Sequence, residues 1–158
     1  MSEEKKKKLA IIASKGSLDM AYPPLILATT ALAMDWDVGV FFTFYGLDII
    51  NKKKIKKLKV GPVGNPAMPV PVPNILGMLP GSTAMATWMM KGWMDKANVA
   101  KLPELLDNAV EFGATLFGCQ MTMDVMGVKR EDLIEEASVC GAAGFLDYAK
   151  DADVTLFV

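Results

Sequence analysis

The chain has no histidine, one arginine and two cysteines in 158 residues. Without histidine, Ser-His-Asp and Cys-His catalysis are excluded. Any activation of a cysteine must then come from backbone dipoles, lysines or that single arginine. Cys119 and Cys140 cannot by themselves complete a thiolate zinc site, and their spacing is not that of a Cys-x-x-Cys redox pair. No metal and no cofactor is therefore expected. Two cysteines are also too few for a disulfide scaffold. The charged residues 1–8 lack the apolar core of a signal peptide, so a reducing cytoplasm is the expected compartment. A formal net charge of -1 gives no electrostatic case for nucleic acid. The lysines between positions 52 and 59, and those of the amino-terminal segment, lack interleaved aromatics and read as solvated faces or a flexible arm.

What is present is apolar. Hydrophobic residues make up 52% of the chain, which excludes disorder, and the length suits one domain, 1–158, with a real core. After a flexible basic tail over 1–8, residues 9–13 read as a first, central strand. Ser14-Lys15-Gly16-Ser17 then turns the chain into a helix over 18–34, whose Pro23-Pro24 must sit in the first turns or break the start. Residues 38–44, β-branched and aromatic, read as a second strand, and 48–57 as a short helix with a lysine face. Residues 60–90 carry no charge, which suggests a membrane span, but they hold six of the nine prolines. Alternation at Pro69, Pro71 and Pro73 cannot make a regular spanning helix. The segment 60–82 reads instead as a long Pro-rich loop of functional or interfacial use.

A helix capped by Ser82 or Thr83 and running to about 95 carries Met85, Trp88, Met89, Met90, Trp93 and Met94. It is apolar nearly all round and calls for burial on more than one side. Core plus a homo-oligomer interface is the plainer reading; an adaptable surface for a partner protein or for peripheral membrane contact is the other. An amphipathic helix opens at Leu102-Pro103-Glu104 and ends at Gly113. A strand at 115–117, a polar helix at 130–137, a very short strand at 139–140, a helix at 144–151 and a strand at 154–158 complete the chain. Such alternation predicts a parallel sheet covered on both faces.

The chemistry gathers at Cys119. The apolar run before it ends in Gly118, and Gln120 onward can start a helix. That places a thiol at the carboxyl end of a buried strand, facing the positive end of a helix dipole, which favours thiolate. Gln120 and Met121 would present backbone N–H groups to an anionic sulfur species. The bland alternative is an inert buried thiol. Cys140, beside Gly141-Ala142-Ala143, reads first as a core cysteine and otherwise as a resolving second thiol that meets Cys119 in space. Lys15, Gly16 and Ser17 follow the first strand, on the edge where parallel sheets bind ligands. There Lys15 can balance an anion, and Ser17 can donate a hydrogen bond or cap the helix. The turn is too short for a Walker A loop. Arg130 reads as exposed before it reads as an anion clamp. Asp124 reads as structural, because a carboxylate so close opposes thiolate formation.

Several segments carry a family resemblance over nearly the whole chain: Ile12-Ala13-Ser14-Lys15-Gly16-Ser17-Leu18-Asp19, Phe42-Thr43-Phe44-Tyr45-Gly46-Leu47, and Cys119-Gln120-Met121-Thr122-Met123-Asp124-Val125-Met126-Gly127. The closing segments, Gly144-Phe145-Leu146 through Val154-Thr155-Leu156-Phe157, fit as well. The chain resembles the DsrE/DsrF-like sulfur-relay superfamily, in the branch often labelled "peroxiredoxin family protein". The resemblance implies a flavodoxin-like three-layer α/β sandwich with a parallel sheet of about five strands, assembled as a homo-oligomer. It implies that Cys119 accepts sulfane sulfur or thiosulfonate and passes it to a partner. The implied partners are a TusA-like sulfur carrier, with rhodanese or heterodisulfide-reductase-like proteins nearby. Nothing before Cys119 resembles the peroxidatic Pro-x-x-x-Thr-x-x-Cys motif.

Three functions follow as expectations. The first is a sulfurtransferase or sulfur carrier working through Cys119. The second is a non-catalytic oligomeric docking protein using the Met/Trp helix. The third is a thiol peroxidase.

Overall fold

The structure, a computed structural model, describes residues 5–61 and 78–158. Five strands form one parallel sheet in the order β4-β3-β2-β1-β5: β1 Lys8–Ala13, β2 Asp37–Phe42, β3 Thr115–Cys119, β4 Ser138–Cys140 and β5 Val154–Phe157. The helices are α1 Leu18–Ala33, α2 Ser82–Lys96, α3 Leu102–Glu111, α4 Gln120–Met126 and α5 Ala142–Ala149. From β1 to β4 the chain steps steadily toward one edge, so its crossovers share one face. The return from β4 to β5, past β1, carries α5 across the other face, as right-handed crossovers require. This is the expected flavodoxin-like sandwich. One detail differs: β2 occupies the middle of the sheet, while β1 is interior, between β2 and β5.

Period-two alternation divides the strands between two apolar layers. Leu9, Ile11, Val38, Val40, Phe42 and Leu116 face α1 and α3, where Leu25, Ala28, Leu106 and Ala109 complete the main core. Ala10, Phe41 and Cys119 face α5, under Phe145. Phe41 stacks on Phe145 at 4.8 Å between ring centroids, and Phe117 meets Phe145 edge-on at 6.0 Å. Burying a side chain of this size contributes roughly 1.5–3 kcal/mol, so the small α5 layer holds the edge carrying both cysteines.

Other expectations need correction. The helix expected over 48–57 is two 3-10 segments, Phe44–Ile50 and Ile55–Lys57. Asn51 interrupts them: it pairs with Leu133, and its side chain accepts the Lys53 and Lys54 N–H groups at 3.0 and 3.3 Å, an alternative to helix that short polar side chains offer. The polar helix expected over 130–137 is only a 3-10 turn, Arg130–Asp132. Leu133 is fully buried, and the Arg130 guanidinium takes the carbonyls of Ile134, Glu135 and Ala137 at 2.9, 2.8 and 2.7 Å. Tertiary partners thus claim the groups a helix would have used. At the amino terminus the basic segment enters the sheet by Lys8, whose N–H donates to Asp153 Oδ2 at 2.7 Å.

Pro23 and Pro24 lie inside α1 without ending it. The Pro-rich loop expected over 60–82 lies, apart from its ends, outside the described residues. Gly81, rather than Ser82 or Thr83, caps α2 in a left-handed conformation (φ 90) that glycine adopts without strain. Among the described residues α2 is buried on one side only: Thr87 is buried and Met94 packs on the core, while Met85, Trp88 and Trp93 are exposed. Among the described residues no helix is long and apolar enough to cross a membrane.

Candidate functional site

The carboxyl edge of the sheet gathers the turns after β1, β2, β3 and β4. Two of them interlock through glycine. A side chain on Gly16 would collide with the Tyr45 carbonyl oxygen, and one on Gly46 with that of Ala13. The turn carrying Lys15 and Ser17 is therefore pressed against the exit of β2, where Thr43, Phe44 and Tyr45 lie. Phe44 has a φ of 46, a strained left-handed conformation for an aromatic residue. Its N–H donates to the Thr122 hydroxyl at 2.9 Å, a contact that over-determines the strained turn.

Cys119 ends β3, caps α4 and is only 4% exposed. Thr122, in the first turn of α4, places its hydroxyl 3.2 Å from that of Thr43. Because Thr122 Oγ1 already accepts the Phe44 N–H, its own proton remains available to a neighbour. Burial pushes the Cys119 thiol up. The Thr122 hydroxyl and N–H, the Thr43 hydroxyl and the Met121 N–H together outweigh it, so the net pKa lies below the ordinary thiol value. The Cys119 side chain makes no N-cap bond of its own; the hydroxyls and N–H groups favour the anion as donors facing a poorly solvated charge. The thiol is thus poised to ionise in a site without histidine.

Cys140 ends β4 and is the register partner of Cys119 across the β3–β4 ladder. Its thiol is pushed up, first by burial and then by the negative charge of a Cys119 thiolate. The two cysteines are thereby differentiated: one favours the thiolate, the other stays protonated. Gly144, in the first turn of α5, lies directly over Cys140. A Cβ there would stand 3.1 Å from Cys140 Cβ and 3.7 Å from its sulfur.

The remaining sequence candidates separate. Met121 turns its N–H toward the sulfur, whereas the Gln120 side chain donates to Asp124 Oδ1 at 2.8 Å. Asp124 is accordingly occupied within α4. Lys15 is exposed and is not among the groups acting on the thiol. Ser17 caps α1 by backbone geometry without a side-chain bond, and Arg130 is committed to the three carbonyls before β4. Among the described residues no three Cys, Asp or Glu side chains gather to hold a metal. Thr43 and Thr122 were not singled out from sequence. Thr122 does carry a local signal, three positions after a helix-capping cysteine. Thr43 carries none, since its partner lies 79 residues away.

The chain is 45% identical to the sulfur carrier protein DsrE2 of Allochromatium vinosum, over 96% of this chain and 98% of that one. It is 32% identical to YrkE of Bacillus subtilis, over 98% and 99%. The crystal structure of the ychN protein from E. coli superposes with a TM-score of 0.59 at 12% identity, covering 96% of this chain and 99% of that one, which is a likeness of fold. Residues 5–157 match the DsrE/DsrF/DrsH-like family. With the relative at 45% identity matched nearly end to end, this chain belongs to that sulfur-relay family.

Proposed function

We propose that the protein carries sulfane sulfur on Cys119 and hands it to a partner thiol. The observation that carries this reading is the nest of Thr43, Thr122 and the Met121 N–H around Cys119, which lowers the pKa of a nearly buried thiol. The name of the A. vinosum relative points the same way.

In the loading step the Cys119 thiolate attacks the outer sulfur of a donor persulfide, R–S–SH. The donor S–S bond breaks, R–S⁻ leaves, and Cys119–S–SH forms. Rate in such exchange depends on thiolate fraction and on the leaving group; the threonines supply the first and the donor the second. Transfer runs the same step onward, with the thiolate of a small TusA-like carrier as the attacking group. Exposed Phe44, Tyr45 and Met121 border the site and offer such a partner an apolar rim.

The test is intact-protein mass spectrometry after incubation with polysulfide and with tetrathionate, followed by reductant. Adducts that disappear with reductant and fail to form in Cys119→Ser support the carrier; equal loading of Cys119→Ser overturns it.

A second reading rests on α2. Its outward face presents Met85, Trp88 and Trp93 to solvent, with Trp88 76% exposed. Such a face suits self-association or docking, and it would operate without Cys119. Pull-down or self-association that survives Cys119→Ser but is lost on replacing Trp88 and Trp93 would favour it.

A further inference from the structure

The β3–β4 ladder ends on two cysteines. Cys119 and Cys140 are direct register partners, and neighbouring strands lie about 4.8 Å apart, inside the roughly 4.4–6.8 Å Cα separation that a disulfide spans. Both side chains project to the same face. Cys119 belongs to the apolar layer under α5, and Cys140 packs against that layer. Gly144 lies against Cys140: a side chain there would press on the Cys140 Cβ and stand in contact with its sulfur. Nothing in the main core requires a thiol at position 140.

We propose that Cys140 is a second working thiol, which unloads Cys119 when no partner takes the sulfur. The inference rests on the carrier reading of Cys119. Cys140 Sγ attacks the inner sulfur of Cys119–S–SH, the bond between that sulfur and the outer one breaks, and a Cys119–Cys140 disulfide forms. The outer sulfur leaves as hydrosulfide, HS⁻, with the proton of Cys140 released or taken up by the leaving group according to pH. The two electrons that leave with hydrosulfide balance the new disulfide, so no external oxidant enters. Two equivalents of a small thiol reopen the pair by exchange. Burial disfavours the Cys140 thiolate, and thiolate fraction limits such exchange, which suits a discharge route rather than the main path.

The experiment is a single turnover. Wild type, Cys140→Ser and Cys119→Ser receive stoichiometric glutathione persulfide, are desalted, and are followed by intact mass and by released hydrosulfide. Wild type is expected to gain one sulfur and then lose it, ending two hydrogens lighter than the reduced chain, with one hydrosulfide per chain. In Cys140→Ser the added sulfur persists and no hydrosulfide appears. If wild type and Cys140→Ser hold the sulfur equally and neither releases hydrosulfide, the proposal is overturned while the carrier reading stands. If no form loads, the carrier reading fails and takes this proposal with it. Treatment with diamide checks the geometry independently of loading. An intramolecular Cys119–Cys140 link, identified by peptide mapping, is expected; formation of intermolecular links alone overturns the pairing.

Discussion

Cys119 and Cys140 stand side by side at the ends of β3 and β4, in register and on the same face of the sheet. Twenty-one positions apart in the chain, they become neighbours because α4 and the Arg130-tied loop bring β4 back parallel to β3. The surroundings then set them apart: hydroxyls and N–H groups favour the Cys119 anion, while burial and that anion disfavour the Cys140 one.

The acidity of Cys119 should depend on two hydroxyls. Replacing Thr122 or Thr43 with valine removes a group that stabilises the thiolate and leaves burial, which raises the pKa. Alkylation of Cys119 by iodoacetamide near neutral pH should slow by about tenfold for Thr122→Val, the equivalent of one hydrogen bond to a charged group at about 1.5 kcal/mol. An unchanged pH profile of alkylation in both variants would remove the threonines from the account.

The same shift links to stability with a definite sign. A thiol whose native pKa is lowered contributes stability that is fully present above its ordinary value of 9.0 and is lost as pH falls through the native value. Wild type should therefore gain on Cys119→Ser as pH rises through that window and show no such gain below it. Urea midpoints of the two proteins measured across the window check the slope.

Gly16 and Gly46 hold the interlocked turns that present Thr43. Alanine at either would meet a backbone carbonyl that cannot rotate away. Each should cost about 1–3 kcal/mol, the usual range for overpacking, and should also slow Cys119 alkylation by displacing Thr43. Denaturant melts and the alkylation rate are both readable on the same sample.

Arg130 braces the approach to β4 with three carbonyl contacts. Arg130→Ala should destabilise the fold by about 1.5–3 kcal/mol and increase the labelling rate of Cys140. Lysine should rescue little, because a point ammonium cannot reproduce the planar fork. Thiol labelling resolved by peptide mapping distinguishes Cys140 from Cys119.

Trp88 lies on the outward face of α2. Trp88→Gln should leave folding stability within about 0.5 kcal/mol, as surface replacements usually do, while lowering self-association measured by light scattering. A large loss of stability with no change in association would mean that the face is packed within the chain.

The elements that sequence reading located best are those decided by local pattern. The first two strands, α1, α3 and the Cys119 strand-to-helix junction came from hydrophobic period, β-branched composition and capping. The failures lie where a distant partner overrules a local preference. Asn51 and Leu133 pair across 82 positions and thereby break two expected helices. Arg130 is exposed, as expected, but its guanidinium is spent on carbonyls of its own loop. The apolar composition of α2 was plain in the chain, yet its exposure depends on where the core ends.

By itself, the order of residues determined the alternating α/β plan, the family, and that any thiol chemistry proposed for the chain must work without histidine. These rest on short-range periodicity, on composition, and on a motif continuous along the chain. Tertiary structure alone decided that Thr43 meets Thr122 beside Cys119, that Cys140 is the neighbour of Cys119, and that the Met/Trp face of α2 looks outward. Strand register and burial are settled by which faces pack against each other across the whole sheet, and no local stretch of sequence contains that information.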